Sequence, residues 1–493
     1  SAMRLIAAIN TALDVHLNVR TLFDAPTITQ LSQQLDNYVT DPRFVAVHGA
    51  GASEVHAADL TLDKFIDTPT LDGARTLPGL RAEVRTVLLT GATGFLGRYL
   101  VLELLERMEL TDGRLICLVR AGSDEEARRR LEKVFDSGDP ELLAHFHELA
   151  DDHLDVIAGD KGDVDLGLNQ QTWQRLADTV DLIVDSAAQV SGVLPYSELF
   201  GSNVVGTAEL VRIALTTRLK SYAYVSTGNV GDQIEPSAFT EDADLRIASP
   251  TRINDGSDVN GYGNSKWAAE VLLREANDLS GLPVAVFRCG LILADTTYAG
   301  QLNMSDLTTR MVLSLISTGV APKSFFRLDA DGNRQRTHAD GLPVEFVAEA
   351  IAALGAEVGQ KSIGGFETYH VMNTHDDGIG FDEYVDWLIE AGYPIERIDD
   401  FAEWLQRFEA GLRALPDHVR DHSVMGMLQL ALQDPEKLQP VEPVSQSLVS
   451  TDRFRAAVQE AKIGPDSDNP EIPHVTPPII IKYATDLQTL GLL

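Results

Sequence analysis

Val87-Leu88-Leu89-Thr90-Gly91-Ala92-Thr93-Gly94-Phe95-Leu96-Gly97 is the stretch that decides the fold. An apolar run of strand length ends in a glycine-rich turn, and a helical apolar spacing then continues through Met108. In a strand–turn–helix unit Gly91 permits the tight turn and Gly94 lets the backbone approach a pyrophosphate. Gly97 lets the helix pack closely on the strand. The free N–H groups of the first helical turn then point at the phosphates. Thr90, Gly91, Thr93, Gly94, Phe95, Leu96 and Gly97 are therefore candidate cofactor contacts.

Working outward, Val84 to Thr90 reads as the first of several short buried strands. Leu115–Val119, Leu154–Ala158, Val180–Asp185, Ala223–Ser226 and Val284–Arg288 read as the others. Helical stretches separate them at Glu125–Phe135, Trp173–Ala177, Gly206–Thr216 and Gly263–Leu279. Strands alternating with helices predict an α/β fold with a Rossmann-type, doubly wound parallel sheet. Residues 85–295 hold this pattern. Residues 296–493 are helix-rich and punctuated by Gly and Pro, which predicts a smaller, mostly helical C-terminal lobe, with some segments returning to the Rossmann core. Residues 39–84 read as a linker anchored by Leu60, Leu62, Phe65 and Ile66. Residues 1–38 read as two short helices, too little chain to bury a core alone.

A chain of 493 residues is too long for a single core, and 44% hydrophobic with 23% charged residues is ordinary globular composition. The formal charge is −34, which disfavours nucleic acid and anionic membranes as partners. Two cysteines within apolar runs, Cys117 and Cys289, give no disulfide framework and no cysteine metal site. No metal site is expected. No apolar stretch approaches the roughly 20 residues of a membrane helix, and no signal peptide opens the chain. A cytoplasmic, reducing compartment is expected.

The nucleotide is read at the end of the second strand. An NAD site usually places an acid there, to hold the ribose 2′-hydroxyl. Here Cys117-Leu118-Val119-Arg120 ends in a cation, and Arg128, Arg129 and Arg130 follow. A guanidinium suits a 2′-phosphate, so Arg120 points to NADPH, with Arg130 as a second candidate contact. The Arg128–Arg130 run also reads as a solvated helix face paired with Glu125, Glu126 and Glu132. Asp160, just past the third strand, is counted among the cofactor contacts.

Tyr262-Gly263-Asn264-Ser265-Lys266 sets a tyrosine and a lysine at i and i+4, on one face of a helix. Thr227 ends the fifth strand, where a hydroxyl points into the ligand crevice of an open α/β sheet. Hydride addition to a carbonyl builds negative charge on oxygen, which needs a proton donor and a second hydrogen bond. Tyr262 supplies the proton, Lys266 lowers the phenol's pKa, and Thr227 holds the oxygen from the other side.

Together these residues resemble the extended short-chain dehydrogenase/reductase superfamily, over about Arg85 to Ala294. Asp185-Ser186-Ala187-Ala188, Asn203 and Phe287-Arg288-Cys289-Gly290 add to the match. The resemblance implies that Ala187, Ala188, Asn203 and Cys289 join Tyr262 and Lys266 around the cofactor, although Cys289 stands where many relatives have proline. Leu60-Thr61-Leu62-Asp63-Lys64-Phe65-Ile66-Asp67 together with the glycine turn is similar to the terminal thioester reductase domains of nonribosomal peptide synthetases and carboxylic acid reductases. Met3-Arg4-Leu5-Ile6 through Val19-Arg20-Thr21-Leu22-Phe23-Asp24-Ala25-Pro26-Thr27 resembles the latter half of a peptidyl carrier domain, with Thr21-Leu22-Phe23-Asp24-Ala25-Pro26 closer to synthetase carriers. The likeness implies a domain of a larger synthetase. It would release a phosphopantetheine-bound acyl or peptidyl thioester with NADPH, as an aldehyde that a second NADPH takes to a primary alcohol. A carboxylic acid reductase domain stopping at the aldehyde, a nucleotide-sugar epimerase or dehydratase, and a non-catalytic NADP sensor are the alternatives.

Overall fold

The computed structural model describes residues 41–493 except 193, 255–259, 362–364, 433–437, 445, 446, 448 and 467. Of the first forty residues it describes Ile9, Thr27 and Leu31. The carrier-like segment therefore lies outside the described residues.

Val87, Leu88 and Leu89 are fully buried, as a strand covered on both faces requires. The central sheet has seven strands: β1 (Thr86–Thr90), β2 (Arg114–Val119), β3 (Leu154–Ala158), β4 (Leu182–Asp185), β5 (Ser221–Thr227), β6 (Val284–Cys289) and β7 (Phe366–Val371). Their spatial order is β3-β2-β1-β4-β5-β6-β7, with every pairing parallel. The order reverses at β1, and the segments that follow β1 and β4 flank the crevice where such sheets bind ligands. Thr90 lies across from Asp185 in that register.

The helices used below are α1 (Phe95–Thr111), α2 (Gly206–Ala214), α3 (Gly261–Ser280), α4 (Leu307–Thr318), α5 (Val344–Lys361), α6 (Phe381–Glu390), α7 (Phe401–Ala414), α8 (Asp452–Ala461) and α9 (Pro477–Thr489). Strand residues alternate between two cores. Val87, Leu89 and Cys117 face α1, α5 and α8, with Leu104, Ile351 and Phe454 among the contacts. Leu88, Ile116 and Ile183 face α2 and α3 on the opposite side. The predicted linker packs into this second core through Phe44, Leu60, Leu62 and Ile66, and its Glu54–His56 pairs antiparallel with Thr251–Ile253. A third core, around Tyr384, Trp404 and Tyr483, unites α4, α6, α7 and α9.

The structure adds elements that the sequence pattern missed. A helix over Pro140–His153 precedes β3, and β7 completes the sheet from within the C-terminal half. Among the described residues no helix is long and apolar enough to cross a membrane.

Candidate active site

The turn after β1 works as its glycines predict. Gly91 has φ +79°, and a Cβ there would stand 2.7 Å from the Ala187 amide nitrogen. A Cβ on Gly97 would stand 1.9 Å from the Gly91 carbonyl oxygen, so only glycine lets α1 approach the turn. Gly94 caps α1. Thr90 Oγ1 donates to the Asp185 carboxylate (2.9 Å) and accepts from the Ala187 N–H (3.0 Å), which ties the turn to the loop after β4. This slim, amide-lined cradle fits a dinucleotide's pyrophosphate.

One cavity of about 1100 Å³ runs over these strand ends. By strand order it extends from Arg120, after β2, past the glycine turn and Ala187–Ala188, to Thr227 on β5 and Cys289 on β6. Tyr262 and Lys266 line it from the first turns of α3. Asp160 also lines it, 3.8 Å from the Arg120 guanidinium, whose side chain is 78% exposed. Two of the expected contacts lie outside the lining. Arg130 donates to the Arg120 carbonyl and so braces that loop, while Arg128 pairs with Glu132 at 2.8 Å. Asn203 is buried in a π-helical turn over Phe200–Val205. Its amide binds both the N–H (2.8 Å) and the carbonyl (3.1 Å) of Gln189, and donates to Ser265 Oγ (2.9 Å). Asn203 thus staples the loop after β4 to the helix carrying Tyr262.

Lys266 is buried and donates to the Val225 carbonyl at 2.7 Å. Its ammonium sits 4.7 Å from the Tyr224 ring centre and 5.9 Å from that of Tyr262. Burial, and then the cation of Lys161, pull the Lys266 pKa down to about 7. Burial pushes the Tyr262 phenol well above its ordinary value, so the lowering expected from Lys266 is outweighed in the free chain. Thr227 Oγ1 donates to Asn229 Oδ1 (3.0 Å) and accepts from the Asn229 N–H (3.3 Å). Burial also raises the Cys289 thiol to about 12, which leaves it neutral and a poor nucleophile.

Beneath these residues lies an ion pair that the sequence reading did not single out. Glu270, one turn after Lys266, holds Arg288 at 2.8 and 3.1 Å, both side chains almost fully buried. Ser226 Oγ donates to the same carboxylate at 2.5 Å. The pair joins the segments that present Thr227, Lys266 and Cys289. Arg288 continues to His370 Nε2 on β7 (3.2 Å), and His370 Nδ1 meets the Ser450 carbonyl (2.9 Å). Gln189, Leu194, Leu291, Asn303 and Asp306 also line the cavity, from segments with no motif to betray them.

Residues 89–351 match the family described as Male sterility protein, an NAD-binding domain family. The chain is 68% identical to the isonitrile lipopeptide synthase of Mycobacterium tuberculosis over all of its own length, which is 20% of that protein. It is 66% identical to a carboxylic acid reductase of Mycobacterium marinum over 92% of this chain and 38% of that protein. The crystal structure of the reductase (R) domain of a nonribosomal peptide synthetase from Mycobacterium tuberculosis superposes with a TM-score of 0.83, at 70% identity, covering 90% of this chain and 100% of that one. The chain thus spans well under half the length of the two full-length relatives. A glycine cradle of dinucleotide shape, the Tyr262–Lys266 helix beside it and this match along the whole length of an R domain lead to one assignment. The chain belongs to the Male sterility protein family of nicotinamide-dependent reductases, within the extended short-chain dehydrogenase/reductase superfamily.

Proposed function

We propose that this domain releases an acyl or peptidyl chain, held as a thioester on a carrier's phosphopantetheine, by NADPH-dependent reduction to the aldehyde. The observation that carries the reading is a single cavity holding both the glycine cradle and the Thr227–Tyr262–Lys266 group. The relatives named as carboxylic acid reductase and as a synthetase reductase domain support the same chemistry.

The glycine turn holds the cofactor's pyrophosphate, Arg120 its 2′-phosphate, and Lys266 with the Ala187–Ala188 loop its nicotinamide ribose. Arg120 stands where a retained NAD calls for an acid, which weighs against a nucleotide-sugar isomerase. When bound, the cofactor supplies a hydride. Thr227 and Tyr262 hold the thioester oxygen between two hydroxyls, so charge building there is met by donors already in place. Tyr262 passes its proton to that oxygen, and the nearby Lys266 cation stabilises the phenolate left behind. The resulting hemithioacetal loses the pantetheine thiol as its C–S bond breaks. One NADPH and one proton are consumed for each aldehyde and thiol formed. The aldehyde would present the same carbonyl to the same hydroxyls, and with a second hydride and a proton from Tyr262 it would become the primary alcohol.

The test is turnover of an acyl-pantetheine thioester by the purified chain, with NADPH and NADH compared and the product identified by mass spectrometry. NADPH-linked aldehyde or alcohol with release of free thiol is expected. Bound NADPH with no turnover across a range of thioesters contradicts the proposal.

A further inference from the structure

The strand ends under the cavity carry a buried charge cluster that the reaction above leaves unused. Lys161, just past β3, is 7% exposed, and its ammonium lies 2.7 and 2.8 Å from the two oxygens of Asp185. It also donates to the Ala187 carbonyl and to Thr207 Oγ1, each at 3.1 Å. Asp185 ends β4 fully buried; the hydroxyls of Thr90 and Tyr222 donate to it at 2.9 Å, and Thr207 Oγ1 lies 3.0 Å away, its one proton shared between Asp185 and the Asn203 carbonyl (2.9 Å). Hydroxyls therefore meet the carboxylate besides Lys161. What Lys161 adds is an ammonium held at the cavity's edge by its ion pair with Asp185, which opposes the burial that pulls its own pKa down.

Lys161 and Lys266 both line that cavity. Lys266 lies over the ring of Tyr224, and Tyr224 sits directly across from Asp185 in the β4–β5 register. Lys266 is therefore one strand away from the Lys161–Asp185 pair. We propose that Lys161 is a positioning residue for the reaction, holding the Ala187 loop in place and setting by its charge the protonation balance of Lys266. The proposal rests on reading Tyr262 and Lys266 as the catalytic pair.

The groups facing Lys266 divide by sign. Burial and Lys161 disfavour its ammonium form, while Asp185 and Glu270 favour it, and the neutral Cys289 thiol and the rings of Tyr224 and Tyr262 border it. A lysine poised near neutrality gains and loses its proton readily, as a partner of Tyr262 over repeated turnovers requires.

The experiment is titration of the ligand-free chain labelled with [13Cε]lysine, followed by NMR. The signal of Lys266 is the one lost in Lys266→Met. In the unmodified chain its midpoint is expected near the neutral range, about 7. In Lys161→Met the midpoint should rise by on the order of one pH unit or more, and in Lys161→Arg it should hardly move. The alkaline limb of kcat/KM should move with the midpoint. If Lys161→Met does not fold, Lys161→Gln, which still donates to Asp185, replaces it with the same expectation. A folded Lys161 variant lacking the charge but with an unchanged Lys266 midpoint overturns the proposal. An upward shift in a chain that reduces no thioester supports the coupling and contradicts the catalytic reading instead.

Discussion

Tyr262 and Thr227 are assigned different work on the same oxygen, and substitution should separate them. Tyr262→Phe removes the proton donor but leaves the ring, so turnover should fall by about 10²- to 10⁴-fold with NADPH binding retained. Thr227→Val removes one hydrogen bond to the developing charge, a loss of about 3 kcal/mol in the transition state. Steady-state kinetics beside fluorescence titration of NADPH check both. Arg120 faces the cavity with most of its side chain exposed, held only loosely by Asp160 at 3.8 Å. Arg120→Ser should raise the KM for NADPH by roughly one to two orders of magnitude and leave that for NADH nearly unchanged. The glycine turn, Arg120 and the Tyr262–Lys266 spacing were legible because each is local: a handful of consecutive residues fixes the geometry. Lys161, Ser226, Glu270 and Arg288 were not, because their partners arrive from distant strands. Arg288 stood in the strand-end motif without a partner, and Glu270 continues the Tyr262–Lys266 face at i+4.

At the level of elements, some helix ends are capped by their own neighbours, as Asp306 caps α4 and Asp400 caps α7, while α8 is capped from a distance. The Glu241 carboxylate accepts from the backbone N–H groups of His370, Arg453 and Phe454, capping α8 and fastening it to β7. Arg288→Met leaves Glu270 charged and buried without its partner, which should cost about 3–5 kcal/mol of stability in denaturant unfolding. The double variant with Glu270→Leu should recover much of that loss. His370 is neutral in this network, and burial, then the Arg288 charge, hold its pKa down at about 4 against an ordinary 6.5. Unfolding lets it take up a proton, so its contribution is full above pH 6.5 and is lost as pH falls through 4. That amounts to about 3 kcal/mol. Thermal melts across this range should therefore fall more steeply for the unmodified chain than for His370→Asn.

Across the whole molecule, the C-terminal half does two jobs. It builds its own core around Trp404 and Tyr483, yet it also sends α5, β7 and α8 back to the central sheet. The sequence pattern located the first six strands within a few residues, since buried parallel strands are short apolar runs bounded by turns. The seventh was hidden. Phe366-Glu367-Thr368-Tyr369-His370-Val371 carries polar residues whose partners come from elsewhere, and it follows β6 only after a long helical excursion. It follows that residues 85–295 should not fold alone: α1 would lose the cover of α5, and β6 would lose its neighbour. Such a fragment should show poor dispersion in NMR spectra and bind hydrophobic dyes.

The central claim is that one cavity joins an NADPH cradle to a thioester-reducing hydroxyl pair. The most direct measurement follows NADPH oxidation with an acyl-pantetheine substrate, in the unmodified chain and in Tyr262→Phe, with free thiol and carbonyl product quantified together. The account predicts NADPH-dependent release of thiol with aldehyde or alcohol, and near-complete loss of both in a variant that still binds NADPH. Equal turnover in Tyr262→Phe, or thiol release without NADPH oxidation, would contradict it.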